Sequence, residues 1–383
     1  MACRRSAWSK PSKRPAAPAA SSTSRRSEME RLRFAQLSFW FGHANGICAA
    51  AQRHSAVDLA CIWDDDPARG RAASEKFGVE YVGDLDEVLS RDDIDAVGIC
   101  SPTQQHAEHA LAAIEHGKHC LVEKPFTRTL AQADAVIAAA EEYRVQVMPV
   151  YNLRFTPANE TMKKFVDEGT LGPIYQVRRR HGHREYEQHG YDAHTIQTNP
   201  DWTWQDADAE GRRSLYHAGS HAMLWMAWMF GMPECVVSLG GTRVHGLPVE
   251  DNNACVFRYA DGMLVTLHTS ETETAAPLAT EIYGFEGALV QTRGDGPSTF
   301  AEFGAPGALM HYEEQTREWR EIAGISRTFQ PEGYNPNDRF FDALLAGRAM
   351  PVTMYDGRRS VQLLAAAELA DREQRLVELA EIE

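Results

Sequence analysis

Residues 32–54 read LRFAQLSFWFGHANGICAAAQRH, and this stretch decides the fold. Its first six residues form an apolar run typical of a buried strand, and ICAAAQRH has the composition of a helix. The tight turn SFWFGHANG joins them. Gly-x-Gly-x-x-Gly binds a dinucleotide in this strand, turn and helix context, yet only Gly42 and Gly46 are glycine here. The stretch therefore predicts a dinucleotide-binding fold and leaves cofactor binding open.

The same alternation continues to about residue 150. The apolar runs VDLACIW, DAVGIC, HCLVE and VQVMPVY are predicted strands, and DPARGRAASEKFG, DLDEVLSR, QHAEHALAAIEHG and LAQADAVIAAAEEY are predicted helices. Strands that are apolar on both faces are typical of a parallel sheet covered by helices. We therefore predict an α/β fold whose residues 31–150 form a doubly wound parallel sheet, with ligands at the carboxyl ends of its strands.

After residue 151 the predicted strands are longer and alternate in polarity. They are PIYQVRRRHGHREY, ECVVSLGGTRVHG, NNACVFRYADG, MLVTLHTSE and ATEIYGFEGALVQTRG. The segment LYHAGSHAMLWMAWMFG is a predicted helix, and a last helix is expected over about residues 355–379. This pattern indicates that residues 151–383 form a C-terminal α/β domain with a large, mainly antiparallel open sheet.

Composition narrows the class of protein. The 383 residues are 43% hydrophobic and 24% charged, which is typical of globular domains. The net charge is −15 although residues 1–28 carry seven basic side chains against one acid, so nucleic acid is an unexpected partner. The longest apolar helical run, LYHAGSHAMLWMAWMF, is too short to span a bilayer, so no membrane is expected.

The cysteines and the N-terminal segment bear on the cellular compartment of the protein. Seven cysteines without a Cys-x-x-Cys pair are expected to be buried reduced thiols in a cytoplasmic protein. Residues 1–30 are rich in Ala, Ser, Pro and Arg, lack the apolar region of a secretory signal and are predicted to be a disordered tail. No function is assigned to that tail.

Two strand ends carry polar side chains suited to a dinucleotide. Asp64 ends the strand VDLACIW about 20 residues after the turn, where a carboxylate binds the adenosine ribose and repels a 2'-phosphate, which favours NAD over NADP. Alternatively, Asp64 to Asp66 merely cap the next helix. The next such end is CSPTQQH, where a turn precedes His106.

The segment LVEKPFTRT holds a lysine at the mouth of the predicted sheet. A strand runs into Glu123, Lys124 and Pro125, so the lysine would lie near a bound nicotinamide. The alternative is an exposed loop lysine, the commonest fate of this residue type.

Four segments together resemble one known family. Glu123-Lys124-Pro125 stands before a helix, Asn152-Leu153-Arg154-Phe155 follows the next strand, EGTLGPI precedes a long strand, and VEDNN occupies residues 249–253. In this layout they resemble the Gfo/Idh/MocA family, whose namesakes are glucose-fructose oxidoreductase and inositol dehydrogenase. The resemblance extends from residue 32 to the end of the chain.

The resemblance implies an NAD(P)-binding Rossmann domain and a second domain whose open sheet often joins subunits into homodimers or homotetramers. It further implies hydride transfer between nicotinamide and a sugar or polyol carbon, with the EKP lysine near the reacting hydroxyl and a histidine as acid/base. The expected catalytic residues are Lys124, His221 and His217. The expected cofactor-binding residues are Ser38, Phe39, Trp40, Gly42, His43, Asp64, Ser101, Pro102, Thr103, Gln104, His106, Glu123, Lys124 and Arg154. The expected substrate residues are Lys124, Asn152, His181, His183, Trp202, Arg212, Arg213, His217 and His221.

The chain departs from the family pattern twice. The glycine turn reads Ser38-Phe39-Trp40-Phe41-Gly42-His43, and Trp40 removes a position where the backbone would approach a pyrophosphate. The family's Asp-x-Gly-x-His segment becomes His217-x-Gly-x-His221, and the basic pair RR before it replaces glycines and would meet an anionic substrate.

Histidines are dense beside this second departure. Six of the fifteen lie within residues 181–221. One hypothesis is therefore a divalent metal bound by His181, His183, His217 and His221, against the commoner arrangement of hydrogen-bonded active-site histidines. The tryptophans of NPDWTWQ would stack on a sugar ring or, alternatively, anchor a loop.

The sequence thus favours an NAD-dependent dehydrogenase of sugars, polyols or glycosides. Two alternatives stay open. One is elimination or hydrolysis of an oxidised glycoside without net redox change, using tightly held NAD or a histidine-bound metal. The other is a catalytically silent binding protein, suggested by the altered glycine turn.

Overall fold

The computed structural model describes residues 31–182, 214–242, 250–272, 280–292, 308–325 and 337–383. Residues 32–383 form one compact unit. Among the described residues, no helix combines the length and the apolar composition that crossing a bilayer requires.

Among the described residues, the first sheet contains six strands in the spatial order β3-β2-β1-β4-β5-β6, and all the strand pairs are parallel. Its strands are β1 (Leu32–Leu37), β2 (Val57–Trp63), β3 (Glu80–Tyr81), β4 (Ala96–Ile99), β5 (His119–Val122) and β6 (Val147–Pro149). The helices between them are α1 (His43–Arg53), α2 (Pro67–Phe77), α3 (Leu85–Leu89), α4 (His106–Glu115) and α5 (Leu130–Tyr143). This strand order is that of a dinucleotide-binding fold, so the predicted parallel sheet is confirmed.

Local sequence signals set the ends of these helices. The Asp66 side chain accepts hydrogen bonds from the backbone N–H groups of Ala68 and Arg69, with Pro67 at the first helical position of α2. Gly78 ends the same helix in a left-handed conformation, with φ of 65°. Asp66 is therefore the cap of α2, which leaves the Asp64 carboxylate available for other contacts.

The second sheet has nine strands among the described residues, in the order β14-β13-β12-β11-β7-β10-β9-β8-β15. They are β7 (Ile174–Gly182), β8 (Cys235–Gly241), β9 (Asn252–Arg258), β10 (Leu264–Ser270), β11 (Thr280–Gly284), β12 (Gly287–Gln291), β13 (Leu309–Glu313), β14 (Glu318–Glu321) and β15 (Val377–Glu378). The pair β7 and β10 is parallel and the others are antiparallel. The prediction of a mainly antiparallel sheet is confirmed.

Four further helices are described: α6 (Pro157–Asp167), α7 (Ser214–Phe230), α8 (Asp338–Leu345) and α9 (Met354–Glu373). Helix α7 is apolar around most of its circumference because it packs between the second sheet and α9, with Trp225 only 1% exposed. A helix buried on several sides has no need of a polar stripe.

Three local predictions were wrong. ATEIYGFEGALVQTRG forms two antiparallel strands rather than one, because the chain reverses between Gly284 and Gly287. The last helix ends at Glu373, since Gln374 adopts a left-handed φ of 52° and the chain then pairs with β8 as β15. The strands β3, β13 and β14 and the helices α6 and α8 were not predicted.

Helix α9 ties the two halves of the molecule together. Arg358 on α9 forms an ion pair with Asp134 on α5, and Tyr151 after β6 donates a hydrogen bond to Ser360 over 3.1 Å. Gly357 permits this close approach, because a Cβ atom built there would lie 2.8 Å from Phe126 and from Pro149. The helix thus supports the loop that follows Lys124.

Candidate active site

The carboxyl ends of β1, β2, β4 and β5 lie side by side at one edge of the first sheet. Leu37 is level with Trp63 and with Ile99, and Ile99 is level with Val122. The residues that follow these strand ends are therefore neighbours, as parallel strands require. They include many of the predicted site residues: Ser38, Asp64, Ser101, Glu123 and Lys124.

Ser38 stands at the first position of the altered glycine turn and has a left-handed φ of 65°. Its N–H donates to the Trp63 carbonyl over 2.7 Å, and its Oγ accepts from the Trp40 N–H over 3.2 Å. The Gln36 side chain also donates to its carbonyl, over 3.1 Å. These bonds hold a serine in a conformation that costs a non-glycine residue about 1–2 kcal/mol. These hydrogen bonds fix the turn although serine stands in place of glycine.

Asp64 is 1% exposed and its carboxylate is fully engaged. It accepts from the backbone N–H groups of Phe39 (2.8 Å) and Asp66 (2.9 Å), and from Arg69 Nε (2.9 Å) and Nη2 (2.6 Å). The Arg69 guanidinium lies 5.1 Å from the centre of the Trp40 ring. Asp64 thus links the turn to α2, and Arg69, which the sequence analysis did not single out, places a cation beside the predicted ribose carboxylate.

His43, the first residue of α1, contacts Glu123 across the sheet edge. His43 Nδ1 lies 3.0 Å from Glu123 Oε1, and the glutamate side chain is 0% exposed. Burial alone would raise the pKa of the Glu123 carboxyl, but the charge and hydrogen bond of His43, together with the charge of Lys124, lower it overall. Glu123 is therefore an ionised, buried carboxylate.

The amino end of α1 fits the pyrophosphate of a dinucleotide. Its N-cap residue Gly42 makes no side-chain cap, and its first turn contains no acidic residue. A Cβ atom built on Gly42 would meet nothing within 4 Å, so the space beside Gly42 is open. The backbone N–H groups at the start of a helix attract phosphate groups. Glu123 Oε2 is also buried without a hydrogen-bond partner among the described residues, which suits a ribose hydroxyl.

The Ser101 turn is fixed by two buried histidines. Ser101 Oγ lies 3.0 Å from His109 Nδ1, and burial lowers the pKa of His109 to about 4. The two ring nitrogens of His106 each lie 2.8 Å from a backbone carbonyl, one of Ser101 and one of Pro125. His106 is 0% exposed, so any contribution to cofactor binding would be indirect. It would come from the hydrogen bonds that fix the Ser101 turn and the EKP loop. Pro102 and Thr103 are buried in the turn, and Gln104 is exposed.

Lys124 is a buried lysine, 1% exposed, at the end of β5. Its Nζ donates to the backbone carbonyl of His217 over 3.3 Å and lies 5.7 Å from the centre of the Phe41 ring. The peptide bond from Lys124 to Pro125 is cis. These contacts join three distant segments: the EKP loop, the altered glycine turn and α7.

His217 faces a carboxylate from the second sheet. Its Nδ1 lies 3.1 Å and 3.2 Å from the two carboxylate oxygens of Glu271, which directly follows β10 and is 2% exposed. The His217 ring stacks on Phe41 at 6.5 Å with an interplanar angle of 11°. The sequence analysis missed Glu271, because the two residues are 54 positions apart and no local motif marks the glutamate.

Comparison with known proteins identifies the family. Residues 41–151 match the model of an oxidoreductase family with an NAD-binding Rossmann fold, and residues 159–290 match the model of the family's C-terminal domain. Together these matches cover most of the chain. The chain belongs to the Gfo/Idh/MocA oxidoreductase family.

Three relatives illustrate the similarity. The uncharacterised oxidoreductase YhhX of Escherichia coli is 35% identical over 158 residues, which span 41% of each chain. A levoglucosan dehydrogenase of Pseudarthrobacter phenanthrenivorans is 26% identical over 259 residues, 60% of this chain and 63% of its own. Both alignments cover less than two thirds of the relative. The crystal structure of GenD2, from gentamicin A biosynthesis and in complex with NAD, has 27% identity and a TM-score of 0.72 over 92% of this chain and 98% of its own.

In this member of the Gfo/Idh/MocA family, the second histidine of α7 lies beside another histidine. The ring of His221 lies 5.3 Å from that of His181 and 6.1 Å from that of Tyr151. His217 instead contacts Glu271, so the structure separates the α7 histidines into two environments. Among the described residues, no group of three His, Cys, Asp or Glu side chains is arranged to hold a metal ion.

The other predicted site residues differ in their placement. Arg154 Nη1 forms an ion pair with Asp356 of α9 over 3.1 Å, and its guanidinium lies 5.1 Å from the Trp228 ring. Asn152 begins the same turn, with Oδ1 buried and unpartnered among the described residues. Outside the described residues lie His183, Trp202, Arg212 and Arg213.

Proposed function

We propose that this protein is an oxidoreductase that transfers a hydride between nicotinamide and a hydroxyl-bearing carbon of a sugar, polyol or glycoside. Membership of the Gfo/Idh/MocA family supports the reaction class. The similarity to a levoglucosan dehydrogenase supports a carbohydrate-like substrate. We favour NAD as the cofactor, in line with Asp64 at the end of β2 and with the NAD complex of GenD2.

The observation that carries the proposal is the hydrogen bond from the buried Lys124 side chain to α7. A lysine that is 1% exposed and bonded to the His217 carbonyl is a costly arrangement, and such arrangements are typical of active sites. We assign to Lys124 the lowering of the pKa of the substrate hydroxyl, because a nearby ammonium stabilises the alkoxide that forms as the hydroxyl proton leaves. Hydride transfer from the same carbon to nicotinamide then converts the alkoxide into a carbonyl.

We assign the proton transfer to the α7 histidines. His221 accepts the hydroxyl proton as general base, and His217 orients the site or relays the proton. His181, whose ring is 5.3 Å from that of His221, would line the same side of the substrate. An imidazole suits this role because its ordinary pKa is near neutrality.

The proposed cofactor site runs along the carboxyl edge of the first sheet. Bound NAD supplies the hydride acceptor. The amino end of α1 would hold the pyrophosphate, the Ser101 turn would flank it, and Glu123 would bind the nicotinamide ribose. Asp64, whose carboxylate already accepts four hydrogen bonds within the protein, would act on the adenosine ribose through its charge, next to Arg69 and Trp40.

The test uses the full chain with NAD and a panel of sugars, polyols and anhydrosugars, followed through the absorbance of NADH. With the best substrate, Lys124→Ala should lower kcat by at least about 100-fold, the usual contribution of such a group. Lys164→Ala, which removes an exposed lysine of α6, should retain full activity. A Lys124→Ala variant as fast as the parent protein would refute the assignment.

The same experiment separates the alternatives. Product formation without any change in NADH absorbance would favour an elimination or hydrolysis without net redox change. Loss of that turnover on chelation would favour a metal. Absence of NAD binding at millimolar concentration would favour a catalytically silent binding protein.

We also propose a homo-oligomer formed through the outer face of the second sheet. Large apolar side chains are exposed on it, among them Val237 (40%), Leu239 (63%), Val256 (38%) and Leu264 (42%). Exposed apolar side chains on neighbouring strands are typical of subunit interfaces. Sedimentation velocity of the protein and of a Leu239→Glu variant would test this: a monomeric parent protein would contradict it.

A further inference from the structure

The pair formed by His217 and Glu271 carries an inference that rests on the proposed function and deepens it. We propose that Glu271 is a positioning residue that fixes the His217 imidazole as the proton relay of the active site. In doing so it supplies, from the second sheet, a carboxylate in place of the aspartate that the family pattern has at position 217.

The hydrogen-bond geometry determines where the His217 proton sits. A carboxylate only accepts hydrogen bonds, and His217 Nδ1 lies within 3.2 Å of both Glu271 oxygens. With Glu271 as a carboxylate, Nδ1 therefore carries the ring proton and donates a hydrogen bond to Glu271. In the neutral ring, Nε2 is then the basic nitrogen, which is the tautomer that a proton acceptor needs.

Burial makes this pair strong and specific. The side chains of His217 and Glu271 are 11% and 2% exposed, so solvent screens their attraction weakly. When the proton that His221 takes from the substrate hydroxyl moves on to Nε2 of His217, an N–H bond breaks at His221 and another forms at Nε2, and the Glu271 carboxylate stabilises the resulting His217 imidazolium. The proton later leaves to solvent and the neutral ring returns.

The surrounding backbone holds both partners in place. The Glu271 N–H donates to the Asp251 carbonyl over 2.9 Å, which anchors the residue just after β10. Ser214 lies at the start of α7, and its Oγ is 3.2 Å from Oγ1 of Thr269, which lies on β10. The distance between His217 and Glu271 is therefore set by the packing of α7 on the second sheet.

The charge of Lys124 explains why a carboxylate is needed. The Lys124 ammonium bonds to the carbonyl of His217, so an imidazolium would form close to an existing positive charge. Like charges disfavour such protonation, and a buried carboxylate on the other side offsets this effect. The three residues thus have different roles. Lys124 activates the substrate hydroxyl electrostatically, His217 relays the proton and Glu271 orients His217.

The kinetic test combines three single variants with one double variant. Glu271→Gln should lower kcat by about 100-fold, with KM and the dissociation constant for NAD changed less than about twofold, because the amide neither bears charge nor fixes the tautomer. Glu271→Asp should recover part of kcat. In the His217→Asn background, Glu271→Gln should cause no further loss, since Glu271 acts through His217.

The outcomes that contradict the proposal are distinct from failure of the proposed function. Glu271 would be only structural if Glu271→Gln lowered kcat equally in the parent protein and in the His217→Asn variant. The same conclusion would follow if the loss of kcat tracked a loss of thermal stability. Nitrogen NMR of histidine-labelled protein, with His217→Asn to assign the signal, reads the tautomer without any substrate. If Glu271→Gln leaves the His217 signals unchanged, the proposal is wrong even where the dehydrogenase activity is found. If no substrate is turned over, the dehydrogenase proposal fails while the NMR result still decides this one.

Discussion

Replacing Gly357 by alanine tests how closely α9 supports the loop that carries Lys124. The new Cβ would lie 2.8 Å from Cγ and Cδ1 of Phe126 and from Cγ of Pro149. Contacts between carbon atoms are favourable near 3.5–4.0 Å, so the neighbours must move by about 0.7 Å or more. Phe126 is 0% exposed and packed in the core, and the proline ring is rigid, so neither moves freely.

Two opposing effects set the magnitude for Gly357→Ala. Overpacking a core by one methyl group costs about 1–3 kcal/mol, and the higher helix propensity of alanine returns about 1 kcal/mol. A net loss of about 0–2 kcal/mol is expected, which lowers Tm by up to a few degrees in a protein of this size. Because Phe126 lies two residues after Lys124, kcat should fall as well.

Gly46→Ala is the matched control. Gly46 is also helical, but a Cβ there would lie 3.9 Å from the Asn337 side chain, an ordinary contact. This variant should gain about 0.5–1 kcal/mol from helix propensity alone. Thermal and urea unfolding of both variants and the parent protein would show whether each substitution raises or lowers the free energy of unfolding. A Gly357→Ala protein as stable as Gly46→Ala would refute the close packing of α9 on this loop.

Three further predictions concern the cofactor edge and the thiols. Arg69→Ala should lower the affinity for NADP more than that for NAD, because it removes the cation beside Asp64; titration with both nucleotides measures the ratio, and an unchanged ratio contradicts the role. The difference in stability between the parent protein and His43→Asn should be fully present above the ordinary glutamate pKa of about 4.5 and should shrink as the pH falls further. A lowered pKa of Glu123 stabilises the fold only while the carboxylate is ionised, and urea unfolding at several pH values checks the trend. The six cysteines of the described residues are buried, and burial raises the pKa of Cys61 to about 11, so they should react with iodoacetamide at pH 8 only after unfolding; mass spectrometry of labelled native protein would show otherwise.

The sequence predicted much of the first sheet because its signals are local. The apolar run of β1, the turn and the helix α1 follow one another within residues 32–53, and the next strands repeat the pattern. The capping residues Asp66 and Thr129 likewise act on helices that begin directly after them. Periodicity and caps depend on neighbours in the chain, and a single sequence contains them.

Parts of the second sheet were harder to predict. Strand β15 has two residues and forms only because β8 offers an open edge at that point. The hairpin of β11 and β12 has no Asn-Gly or Asp-Gly turn, so one continuous strand was the natural interpretation. Here the partner strand, and not the local sequence, decides the structure.

The sequence by itself determined the family, the parallel sheet and the edge at which Ser38, Asp64, Ser101 and Lys124 lie, because the carboxyl ends of parallel strands meet at one edge. Only the tertiary structure decided that Arg69 engages Asp64, that His43 reaches Glu123 and that His217 faces Glu271. The last two pairs join residues that are 80 and 54 positions apart. Such contacts depend on how helices and sheets pack, and that packing is set by the summed burial of many apolar side chains, which no short motif records.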